Sequence, residues 1–250
     1  MLYDDRDRSS VRNALVAVTA LAWLLSSWTL VSQTAHGAHA HLHDSSTNAG
    51  VGAAAAAVNW LLMLAAMMAP VLIQPIQFVR GHGLARRRAR ATLVFVTGYA
   101  AIWTVAGGVM QSLAATADAA GLTRVLLGAG ILAVALVWQC SPAKQVCLNQ
   151  CHVRPELAAL GSRADADVLM FGATHALWCV GSCWAWMFVP LLFPSGHIAA
   201  MTATTILIFC ERLDKPAPPG WRWRGVGKAS RIVTGRLRIH AAAFECSSHM

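Results

Sequence analysis

Charge is what this chain has least of. Only 12% of its 250 residues are Asp, Glu, Lys or Arg, about half the share found in soluble globular domains. With 56% hydrophobic residues and a mean hydropathy of +0.51, that scarcity excludes a soluble domain. Carboxylates are absent from all the long apolar runs. Proton-coupled carriers generally need such groups, and magnesium or calcium sites need oxygen ligands, so both classes lose support. There is no nucleophile elbow, phosphate loop or zinc-protease helix motif, which leaves a hydrolase little footing and makes an enzyme the less favoured class. The sequence also has no Cys-x-x-Cys pair, and its seven cysteines follow no framework spacing. A thioredoxin-like centre and a disulfide scaffold are both disfavoured.

What the chain does have is apolar sequence in long blocks. Six of them, at about 13–32, 53–73, 92–113, 123–139, 168–190 and 196–211, approach the roughly 20 residues that cross a bilayer. The fold class expected is all-α: one polytopic membrane helix bundle over residues 13–213. A short polar segment (1–12) precedes it, and a basic tail (214–250), expected to be poorly ordered, follows it. The net charge of +9 does not mark a nucleic-acid binder, because Lys and Arg cluster between alternate apolar blocks. With both termini cytoplasmic, 19 of the 20 basic residues fall on the inner side, and Arg124 alone sits at an outer helix end, as the orientation rule requires. Ala38-His39-Ala40 fits a signal-cleavage pattern, but the preceding apolar core of about 18 residues exceeds the usual 7–15, favouring an uncleaved anchor helix.

Soft ligand types are concentrated in the fifth block. His175, Cys179, Cys183 and Met187 follow one another at four-residue intervals. Four residues turn a helix through roughly 400°, so the four side chains form one drifting stripe. Taken singly, Cys and Met pack as ordinary hydrophobes; in register they point to metal or redox chemistry. Met63 and Met67 share a face of the second block and are expected opposite these thiols. Cys140, Cys147, Cys151 and His152 lie in the inner polar segment after block four, where thiols stay reduced and serve better as metal ligands than as a disulfide. His197 and Met201 are one turn apart near the outer end of block six. The tract holding His36, His39, His41 and His43 is either a metal-capturing segment or a flexible linker. Thiolate and thioether favour Cu(I), and thiolate with imidazole also suits zinc.

Several short motifs accompany these residues. Trp60 with Met67-Met68-Ala69-Pro70, Phe95 with Gly98-Tyr99 and Trp103, and Gln139 with Pro142, Lys144, Cys147-Leu148 and Cys151 each follow a recognisable pattern. So does Gly172 with Cys179-Val180-Gly181 and Cys183-Trp184-Ala185-Trp186-Met187, followed by Gly196, Met201 and Glu211-Arg212. Together they resemble a bacterial domain-of-unknown-function family described as predicted metal-binding integral membrane proteins, over roughly Trp60 to Arg212. The resemblance implies a multi-pass protein of the bacterial inner membrane that binds a metal; it implies no reaction. Ser182 stands where the family has the first of two adjacent cysteines, His152-Val153 precede Arg154-Pro155 where Arg is expected directly after Cys151, and His197 replaces a Met. A site built on three thiols would lack one here, with His152, His175 and His197 available as substitutes.

The expectation is therefore a membrane protein that binds a soft transition metal, copper before zinc, and handles or moves it across or within the membrane. Its partners would be the lipid bilayer and the ion, with a homo-oligomer or a metal-handling partner compatible with the sequence. Two rivals stand beside it: a thiol- or electron-transfer protein cycling Cys179 and Cys183, and an assembly subunit in which Cys and Met only pack. A disulfide within one helical turn aims its Cβ atoms poorly, which ranks the redox rival second.

Overall fold

A computed structural model of the chain describes residues 5–37, 48–121, 123–158, 160–192 and 196–225. Among these residues there are helices and no strand: α1 (Asp5–Gly37), α2 (Asn48–Met68), α3 (Ile73–His82), α4 (Arg88–Ala119), α5 (Arg124–Cys140), α6 (Pro142–Gln150), α7 (Gly161–Leu192) and α8 (His197–Arg212). The His36 side chain, His39, His41 and His43 lie outside the described residues.

Helix breaks follow the sequence chemistry. Pro70 opens a 3-10 turn (Ala69–Leu72) between α2 and α3, because proline cannot donate the backbone bond that would continue α2. Ser141 closes α5 and caps α6, its hydroxyl accepting from the Lys144 N–H at 3.2 Å with Pro142 in the first turn. The outcome is a bend of 68° between α5 and α6. Thr123 caps α5 in the same way through the Leu126 N–H.

Four helical stretches are long and apolar enough to cross a membrane: Asp5–Thr29, Ala54–His82, Ala85–Ala117 and Gly161–Leu192. The bent pair α5–α6 makes a fifth if it is one span. At 16 residues, α8 extends only about 24 Å.

The bundle is organised by α4 against α7. Their contacts advance in one direction, from Arg87 with Asp165, through Phe95 with Gly172, to Tyr99 with Cys179, so the two run parallel. Glycine makes the closeness attainable: a Cβ on Gly98 would stand 2.5 Å from the Leu169 carbonyl oxygen, and one on Gly172 would collide with the Phe95 backbone. Small residues at such crossings let backbones approach in lipid, where packing rather than water exclusion drives association. Trp60 from α2 fills the notch at Gly107 and donates its indole N–H to the Trp103 carbonyl at 3.1 Å.

One end of this bundle is charged. Asp7 pairs with Arg80 at 2.5 Å and with Arg88 at 3.8 Å, while Asp165 pairs with Arg87 and Arg90 at 2.6 and 2.7 Å. These pairs gather the first turns of α1, α4 and α7 and the end of α3 into one ionic layer. At the opposite end of α7, the His197 ring donates from Nδ1 to the Pro190 carbonyl at 2.8 Å.

The segment after α8 folds back rather than trailing away. Arg222 N–H donates to the Cys140 carbonyl at 3.1 Å. Arg224 is buried, donating to the Gln145 Oε1 at 2.6 Å and to the carbonyls of Ser141, Gln139 and Gly220. The stretch through Gly225, counted with the basic tail on composition, thereby closes over α6.

Candidate thiol–arginine centre

Cys179 sits in the middle of α7 and has no exposed surface. Three side chains from three other helices meet its sulfur. Met68 Sδ, from the end of α2, lies 4.0 Å away; Tyr99 Oη, from α4, lies 3.3 Å away; and Arg212 Nη2, from the end of α8, donates to it at 3.0 Å. Cys183, one turn later and equally buried, donates to the Cys179 carbonyl at 3.0 Å. Ser182 donates to the same carbonyl at 2.8 Å and accepts from Arg212 at 3.1 Å.

Arg212 ties this pair to the inner cysteines. Its positive charge also acts on the neighbouring Cys151 thiol. On α6, the Cys147 sulfur lies against Gly181, 2.7 Å from where a Cβ would stand. Glycine at 181 is thus what admits that sulfur to the face of α7. The Cys147/Cys151 pair, expected at a separate depth, thus packs beside the same stretch of α7 as the two thiols. Outside α7, burial pushes the Cys151 thiol up to about 11, a rise that the neighbouring Arg212 charge only partly offsets.

Behind the cluster lies a second buried layer. Lys144 pairs with Glu211 at 2.9 Å, both almost fully buried, and donates to Gln139 Oε1 at 2.6 Å. The Gln139 amide donates to Glu211 and to the Arg224 carbonyl, while Trp186 donates to Gln139 Oε1 at 2.5 Å. Charges so far from water persist only when fully paired. This layer locks the residue preceding Arg212 in place.

The other expected site residues fall into three groups. Met187, Met201, Met67 and Met63 are fully buried among core side chains. The thioether at the Cys179 sulfur is that of Met68, the residue after Met67 and the last of α2. Cys140 and His152 are half-buried, and His197 is spent on the α7–α8 junction. His175 is the exception. It is 4% exposed, ringed by Phe95, Tyr99 and Phe171 at 5.7–6.2 Å, and neither ring nitrogen has a hydrogen-bond partner. A buried imidazole left unbonded costs roughly 1–3 kcal/mol, so the pocket holds two unused donor atoms one turn from Cys179.

Among the described residues, no three His, Cys, Asp or Glu side chains stand close enough to share a metal ion, and all six described cysteines are free. What lies between the thiols is the Arg212 cation.

A family model described as PpoB2, copper chaperone, matches residues 57–234. The chain belongs to this copper chaperone family. The matched region takes in Met68, Tyr99, Cys147, Cys151, Cys179, Cys183 and Arg212, and leaves out α1 and the histidine tract. No curated protein and no solved structure matches the chain. A copper-related role follows from the family, and it agrees with the metal expected from the sulfur donors.

Sequence reasoning did not find Arg212, Tyr99, Met68 or Ser182 as contacts of Cys179. Charge placement alone takes Arg212 only as one of the inner basic residues. The signal available was a Glu-Arg pair ending an apolar block without interruption, since charges at that position need buried partners.

Proposed function

We propose that the protein carries Cu(I) as cargo on the sulfur cluster of α7 and hands it on at the bacterial inner membrane. The observation that supports this most is the surroundings of Cys179: a fully buried thiol beside a thioether, one helical turn from a second buried thiol, with a protein cation lying against it. Thiol and thioether sulfur prefer Cu(I) over harder ions. In this reading Arg212 holds the thiols' place in the empty protein, and the incoming ion takes over its position. Cys179, Cys183 and Met68 supply sulfur, with Cys151, Cys147 and His175 next in reach. Because Cu(I) needs thiolates, binding releases protons, and the displaced guanidinium keeps Ser182 as a partner.

The membrane placement belongs to the same reading. Six spans with both termini inside put the ionic layer of Asp7, Arg80, Arg88 and Asp165 at the cytoplasmic face, and put the thiols about 21 Å deeper along α7. The basic residues of the inner segments support that orientation.

The test is copper stoichiometry on the purified protein, by competition with a chromophoric Cu(I) chelator. About one equivalent retained by the parent protein and lost in Cys179→Ser/Cys183→Ser supports the reading. Retention in that double variant contradicts it. A reversible two-electron thiol titration without any retained copper would favour the redox rival.

A further inference from the structure

A cavity lies beside the thiol–arginine centre and contains no thiol. Its volume is about 490 Å³, within the range of small-molecule sites. Its walls come from α6, the end of α8 and the folded-back segment after it. Glu211 and His152 line it, and these are the chain neighbours of Arg212 and Cys151. The cavity thus ends one residue from two members of the cluster.

Its charges are distributed unevenly. Glu211 is already neutralised by Lys144, and Arg224 is committed to four oxygen acceptors. Left at the mouth are the exposed cations Lys215 and Arg222, with the carboxylate of Asp214 between α8 and Lys215. Two cations and one anion around a polar recess suit a ligand with carboxylates and an ammonium group. Gln145 and Asn149 line the wall but are bonded to each other, to Arg224 and to Ala217, so Lys215, Arg222 and Asp214 carry the recognition.

We infer that this cavity docks a small anionic peptide thiol that brings Cu(I) to the cluster. The inference rests on the copper-cargo reading and extends it by naming the source. Cu(I) in a reducing compartment travels on thiolate sulfur, and the cavity offers charge recognition for the carrier but no competing sulfur of its own. Transfer is ligand exchange without redox change. The bond from copper to the carrier sulfur breaks as a bond to Cys179 or Cys151 forms, and the proton leaving the protein thiol goes to the departing carrier thiolate.

The test uses the full-length protein in detergent, with reduced glutathione as probe carrier. Copper loading from the Cu(I)–glutathione complex is compared with loading from Cu(I) in acetonitrile. The expected result is that Lys215→Glu/Arg222→Glu slows loading from the glutathione complex about tenfold and leaves loading from acetonitrile unchanged. S-methylglutathione, which keeps the charges but cannot carry copper, should compete with the complex in the parent protein. Equal loading of parent and variant from both sources, or no competition, overturns the inference while leaving the copper reading intact. If the parent takes up copper from neither source, both fall together. Competition by glycerol phosphate but not by S-methylglutathione assigns the cavity to a lipid headgroup and also overturns the inference.

Discussion

At the scale of single residues, the centre depends on a guanidinium in the place a metal cation would take. If Arg212 competes with copper for the thiols, Arg212→Gln should tighten Cu(I) binding, by about tenfold for ~1.4 kcal/mol of lost competition. Arg212→Lys should fall nearer the parent, because it keeps the charge. Chelator competition reads both, and weaker binding in Arg212→Gln would show that the arginine supports the site instead. Lys144 makes a different kind of prediction. Removing one partner of a buried ion pair typically costs 3–5 kcal/mol, whereas replacing both can be nearly neutral. Lys144→Met should therefore lower the unfolding midpoint in detergent sharply, and Lys144→Met/Glu211→Leu should recover much of the loss. Equal effects in the single and double variants would mean that Glu211 is not left stranded.

At the scale of elements, the site is a product of how closely α4 and α7 pass. The contact at Gly172 leaves no room for a methyl group, so Gly172→Ala should destabilise by about 1–3 kcal/mol through forced separation. It should also weaken copper retention, because Tyr99 would withdraw from Cys179. Gly108 on α4 has open space around its would-be Cβ. There the same substitution should be neutral or stabilising by about 0.5–1 kcal/mol, since alanine restricts the unfolded chain. Thermal melts of the two variants side by side check this, and similar losses at both positions would sink the close-packing account. The α7 stripe was legible at this scale, because a four-residue period in a long apolar block survives any helical arrangement. The Met68 contact was not, because helical spacing alone does not say which of the adjacent buried residues Met67 and Met68 meets the sulfur. Nor does spacing reveal that α6 bends back to set Cys147 against Gly181.

For the whole molecule, helical class and apolar blocks were readable from composition, since lipid leaves the backbone few options besides helices. The bonds of the stretch through Gly225 were not, because a run of Pro, Gly, Trp and Arg has no periodicity to read. The number of crossings and their orientation remain as expectations from charge placement. Reporter fusions at Met1 and Met250 should both report the cytoplasm, and a fusion within the histidine tract the opposite side; a C-terminal reporter active outside would reverse the topology and put the cavity on the wrong face for a cytoplasmic carrier.

The claim beneath all of this is that copper binds to sulfur on α7. X-ray absorption at the copper edge of the loaded, purified protein tests it most directly. The account predicts Cu(I) in a shell dominated by sulfur, with that shell lost or reduced in Cys179→Ser. A shell of nitrogen and oxygen ligands alone, or a sulfur shell unchanged by that substitution, would contradict it.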